Sequence, residues 1–106
     1  MRSMPLTDIG KFGEMEIEEP QVSKADEVLL QMEEVGICGS DIHYYTEGRI
    51  GEQRIDFPFV VGHECAGTVV STGFEVNNLN PGDRVAIDPA VSCGKCDQCR
   101  AGRPHT

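Results

Sequence analysis

The chain has 106 residues, 18 of them acidic against nine basic, for a net charge of −9. A chain this short makes one domain at most and buries roughly 60–70% of its unfolded surface, enough for a modest core. The acidic balance repels phosphate backbones and anionic lipid, which argues against nucleic acid and membrane surfaces as partners.

The opening stretch MRSMPLTDIGKFGEMEIEEP has no apolar h-region, so no secretory signal is expected and a cytoplasmic location is. The longest apolar run, around FPFVVG, falls far short of the ~20 residues that a membrane span needs. Residues 13–18, GEMEIE, alternate polar and apolar and predict a strand with one face in water. EVLLQMEEVGIC is the strongest strand signal, with Val28, Leu30 and Met32 on one face. Glu33 and Glu34 break its period and predict a bulge or bend before Val35. SDIHYY predicts one or two helical turns with Ser40 as N-cap and Asp41 in the first turn. GEQRIDFPF reads as loop, ended by Pro58. CAGTVVSTG is β-branched and compact, which predicts a buried strand. In NLNPGDRVAID, Pro81 and Gly82 form a tight turn, followed by a strand through Val85 and Ile87. From Pro89 onward there is glycine, cysteine and charge but no apolar period. Short strands, frequent turns and little helix predict a small mainly-β barrel or sandwich.

Five cysteines is an odd number, and three of them crowd into CGKCDQC. Cys93, Cys96 and Cys99 stand at C-x2-C-x2-C spacing in a segment without a core of its own. Thiolate-bound Zn²⁺ can hold such a segment; free or disulfide-prone thiols are the alternative, disfavoured by spacing and compartment. Gly94 permits a positive φ that turns backbone N–H groups toward a bound sulfur. Lys95, Arg100 and Arg103 offset part of the thiolate charge. A closed structural site wants a fourth ligand; His105 and a residue beyond Thr106 are equally consistent. An iron–sulfur cluster has related spacing but also wants a fourth cysteine, so zinc is favoured.

Cys38 and His63 form a second constellation, 25 positions apart and each beside a glycine, in ICGS and VGHE. Only a fold unites residues that far apart. Glu64 stands ready to orient such a site or to bind the metal in turn. Taken alone, these residues leave a metal site and a purely structural role equally open.

GICGSDIH, GHECAGTVVSTG, PGDRVAI and CGKCDQCRAGRPHT together resemble the zinc-dependent medium-chain alcohol dehydrogenases, from about Glu27 to the last residue. Within that family SDIHYYTEGRIG is most similar to the polyol branch, the sorbitol (L-iditol) and xylitol dehydrogenases. L-threonine dehydrogenases and other secondary-alcohol dehydrogenases are the nearby alternatives. The resemblance implies a GroES-like β-barrel with short helices, residues 1–106 being the N-terminal part of its catalytic domain. It implies a catalytic zinc on Cys38 and His63, with Glu64 beside the metal or exchanging onto it, and a further ligand from much later in the chain. Ser40 and His43 match the proton-relay positions, three apart and hence on one face of a helical turn, and Tyr44 matches a substrate-contacting residue. Cys93, Cys96 and Cys99 match three structural-zinc ligands, the fourth falling immediately after Thr106. Absent the resemblance, Ser40 reads as a simple helix cap and Tyr44 and Tyr45 as packing. Cys65 has no matching role and reads as a core residue.

No G-x-G-x-x-G follows a strand and no βαβ pattern is present, so nothing here binds a nicotinamide cofactor. The resemblance places an NAD(P)-binding Rossmann domain downstream, in a homo-oligomeric full-length enzyme acting on a small polyol or alcohol. The chain alone is then expected to be inert, with zinc occupancy partial. Two other readings compete: a non-enzymatic zinc-binding module meeting a protein partner through the cysteine loop, and a metal-independent GroES-like barrel with an assembly role.

Overall fold

The computed structural model describes residues 1–104; His105, named above as a ligand for the cysteine loop, lies outside the described residues. The chain begins with four short strands, β1 (Arg2–Ser3), β2 (Leu6–Asp8), β3 (Lys11–Phe12) and β4 (Met15–Glu16). β1 pairs with β4 and β2 with β3, both antiparallel. The strand expected over 13–18 therefore shortens to Met15–Glu16, and its side chains are exposed. Alternation alone does not show where pairing stops.

The centre of the molecule is one antiparallel sheet of three strands in the order β5–β8–β9. β5 runs Val28–Gly36, β8 Glu64–Thr72 and β9 Arg84–Ala86. Met32 pairs with Gly67 and Glu34 with Ala66, so Glu33 is the extra residue and the acidic pair does form a bulge. A second irregularity lies between Leu29 and Leu30, where Val70 of β8 is bypassed. Gly67 is required in the middle of β8, because a Cβ there would sit 2.3 Å from the Gln31 carbonyl oxygen. Pro81 and Gly82 make the tight turn before β9, with Gly82 at φ +95 and the Asp83 N–H donating to Asn80 O at 3.0 Å.

Helix α1 (Gly39–Glu47) leaves β5 almost at once. Its N-cap is Cys38, not Ser40, which falls inside the first turn. Cysteine caps poorly, and the cap is made from the other direction: Asp41 Oδ2 accepts the Cys38 N–H at 3.0 Å. Gly48 closes the helix at φ +67. The segment 51–59, expected to be loop, contributes the turn and second strand of a small hairpin, β6 (Arg49–Ile50) with β7 (Gln53–Arg54), turning on Gly51 at φ +60. Among the described residues after β9, α2 (Asp97–Arg100), four residues long, is the only regular element. No described helix is long and apolar enough to cross a membrane.

The core is thin. Leu6 and Val69 are the buried hydrophobic residues among those described, while Ile37 and Phe74 are 81% and 90% exposed. A radius of gyration of 16.3 Å exceeds the ~13 Å of a compact chain this long. Leu6 is central because it closes two contacts at once, exchanging backbone hydrogen bonds with Phe59 while its side chain is fully buried. Leu6→Ala should therefore cost about 3 kcal/mol in chemical denaturation, whereas Ile37→Ala should change the midpoint little.

Candidate metal centre

The antiparallel pairing of β5 with β8 ends on the rung Gly36–Glu64. Cys38 follows the last residue of β5 by two positions, and His63 precedes the first residue of β8 by one. In an antiparallel pair the end of one strand lies beside the start of the other, so the two segments meet. One ligand atom from each of Cys38, His63 and Glu64 lies within 4.8 Å of the others. A thiol, an imidazole and a carboxylate at that spacing form a donor set that suits Zn²⁺, which takes Cys, His and carboxylate ligands at ~2.0–2.3 Å.

Asp41 holds this arrangement, a role that its sequence position did not reveal. It is buried, accepts the Cys38 N–H through Oδ2 and the Gly62 N–H through Oδ1 at 3.3 Å, and faces His63 Nδ1 at 3.5 Å. One carboxylate thus ties the segment carrying the sulfur to the segment carrying the ring. A histidine whose Nδ1 faces a carboxylate keeps Nε2 as its metal-binding nitrogen. The readable signal was an acidic residue three positions after a helix start, the second half of a capping box.

Ser40 Oγ is buried without a hydrogen-bond partner. A buried hydroxyl left unpaired costs about 1–3 kcal/mol. His43, one turn further along α1, is exposed. Tyr44 is half-buried and packs on Phe59, ring centroids 5.2 Å apart.

The second cluster is local. Ligand atoms of Cys93, Cys96 and Cys99 also lie within 4.8 Å of one another, with Sγ–Sγ distances of 3.8 Å for Cys93–Cys99 and 3.6 Å for Cys96–Cys99. Gly94 adopts φ +69, and the Cys96 N–H donates to Cys93 Sγ at 3.4 Å. The Lys95 N–H first, then that of Cys96, hold the Cys93 thiol down to about 7 from 9.0. The Cys99 N–H lowers Cys96 likewise. Both sulfurs are exposed, so a metal reaches them without rearrangement of a core. Cys65 is half-buried on β8 and belongs to neither cluster.

Residues 24–106 match the family model for the alcohol dehydrogenase GroES-like domain. The chain belongs to that family. It is 54% identical over 78 residues, 74% of its length, to a sorbitol dehydrogenase from Bacillus subtilis, of which it covers 22%. It is 41% identical over 112 residues, 99% of its length, to a D-xylulose reductase from Scheffersomyces stipitis, covering 31% of that protein. Among solved structures, galactitol-1-phosphate dehydrogenase from Escherichia coli superposes with a TM-score of 0.82 at 30% identity, over 95% of this chain and 28% of that one. The chain thus spans about a quarter of the length of the relatives that it matches.

Asp41→Asn removes the negative charge that faces His63 and should weaken zinc binding at the Cys38 cluster tenfold to a hundredfold, read by competition with a chromophoric chelator. Unchanged affinity would detach Asp41 from the site. The Cys93 shift has a definite sign: the folded loop favours the thiolate above pH about 7, where an unfolded thiol still holds its proton up to 9.0. The stability it lends is present above the unfolded value and lost as pH falls through the folded one. In the metal-free chain, iodoacetamide modification of Cys93 should reach half its plateau rate near pH 7 and move to the ordinary thiol range in urea.

Proposed function

We propose that this chain is the metal- and substrate-binding part of an NAD(P)-dependent dehydrogenase that oxidises a polyol or similar secondary alcohol to a ketone. The observation that carries the reading is a sulfur, an imidazole and a carboxylate converging from two strand ends, with the unpartnered hydroxyl of Ser40 on the adjoining helix. The relatives' names support the substrate class: sorbitol, D-xylulose and galactitol 1-phosphate. Residues 1–106 make up the N-terminal part of the catalytic domain, and the nucleotide is bound by polypeptide outside this chain.

Cys38 and His63 hold the catalytic zinc, and Glu64 supplies a carboxylate that binds it or stands beside it. A zinc ion held there would supply Lewis acidity, making a substrate hydroxyl more acidic, as it does water. Ser40 Oγ accepts a hydrogen bond from the substrate hydroxyl and passes its own proton onward. His43, one turn away and exposed, carries that proton out to solvent. Tyr44 lies on the same helix and contributes a hydroxyl that orients a hydroxylated substrate. Cys93, Cys96 and Cys99 hold a second zinc with a structural task, pinning a segment that has no apolar core.

Joining the chain to the remainder of the Bacillus subtilis relative and following NAD reduction with sorbitol, xylitol, L-threonine and simple alcohols tests this reading. Turnover of sorbitol or xylitol is expected. Cys38→Ser should lower it by about 10³-fold or more, ~4 kcal/mol of barrier, and leave the melting temperature nearly unchanged. Cys96→Ser should lower the melting temperature instead. No turnover of any of these substrates would end the proposal.

A further inference from the structure

Gly36 faces Glu64 across the last rung of the β5–β8 ladder. A Cβ at position 36 would lie 3.0 Å from Glu64 Oε2, 3.1 Å from Glu64 Cβ and 3.3 Å from the Glu64 carbonyl oxygen. Directly opposed residues in antiparallel strands keep their Cβ atoms ~4.5–5.5 Å apart, so this pair approaches more closely than two side-chain-bearing residues do. The carboxylate also departs from the usual direction. A strand side chain stands roughly perpendicular to its sheet, but that of Glu64 leans over the neighbouring strand into the volume that residue 36 leaves empty. Beyond residue 36 the chain runs two residues on to Cys38.

We infer that Gly36 is a positioning residue: its missing side chain is the seat of the Glu64 carboxylate, and this seat lets Glu64 join Cys38 and His63. The inference rests on reading those three residues as a metal site. It names a requirement that a metal-site reading by itself does not contain, namely that a side chain two positions before the sulfur crowds the Glu64 carboxylate. Among the described glycines, Gly36 is the one whose absent Cβ is replaced by a member of the cluster. Gly67 and Gly73 make room for backbone carbonyls, Gly62 for Val35, and Gly39, next to Cys38, has nothing within 4 Å of the corresponding position. A Cβ at 36 requires Glu64 or the strand ends to give by a few tenths of an ångström, and on this inference that movement widens the cluster.

Co²⁺ titration of the 106-residue chain tests this, reading the thiolate-to-cobalt absorption that Cys38→Ser removes. Gly36→Ala should weaken Co²⁺ about tenfold or more, and Gly39→Ala should leave the affinity within twofold. Glu64→Gly removes both the carboxylate and the opposing Cβ. In that background Gly36→Ala should add no further loss, and the double variant should melt above Gly36→Ala alone. The melting comparison also decides the matter if Gly36→Ala proves too unstable to titrate. Unchanged affinity in Gly36→Ala overturns the inference, as do losses that multiply in the double variant, or a double variant that melts no higher. A wild-type chain that gives no Cys38-dependent absorption overturns the metal-site reading itself, a different failure.

Discussion

Antiparallel pairing of the strand Val28–Gly36 with the strand Glu64–Thr72 is the constraint from which the site follows. The loop between them contains a helix and a hairpin, yet its two ends are held at the width of one strand pair. Register therefore brings residues 25 positions apart close together. A slip of one residue would move Glu64 off Gly36 and turn every side chain of the strand to the opposite face. Gly67 resists such a slip, since it is the residue that fits against the Gln31 carbonyl.

The two clusters are held by different physics. Cys93, Cys96 and Cys99 meet because they are close in sequence, and positive φ at Gly94 turns N–H groups toward sulfur. That cluster carries its preorganisation locally, in backbone hydrogen bonds that favour the thiolate form. Cys38, His63 and Glu64 meet through tertiary structure, trimmed by Asp41, whose carboxylate bridges both segments. The first arrangement suits an ion that holds a loop. The second suits one that keeps a position open for chemistry, as the proposed function requires; Ser40 Oγ beside it is covered and His43 is exposed.

Legibility in the sequence followed the range of the interactions involved. β5 and β8 were readable because long β-branched and apolar runs bury area whatever their partners, and the bulge at Glu33 was readable because two successive acids cannot both face outward. The Pro81–Gly82 turn was readable from local dihedral preference. The short pairings near the N-terminus were not, because strands of two or three residues depend on distant partners such as Phe59. The hairpin at Arg49–Arg54 lacks the Asn-Gly or Asp-Gly signal, so sequence alone reads its second half, from Gly51, as loop. Residue preference points to Ser40 as the N-cap, whereas a buried aspartate one position later lets a cysteine occupy that place. The cysteine triplet announces itself by spacing. The other cluster is visible only to a reader who knows the family or has the fold.

Zinc-edge X-ray absorption on the chain with Cys93, Cys96 and Cys99 all replaced by serine addresses the central claim most directly, because it counts the atoms around the ion that remains. The account predicts one sulfur at ~2.3 Å with nitrogen and oxygen at ~2.0–2.2 Å, the sulfur disappearing in Cys38→Ser and the nitrogen component in His63→Ala. A coordination sphere without sulfur, or one indifferent to those two substitutions, would contradict it.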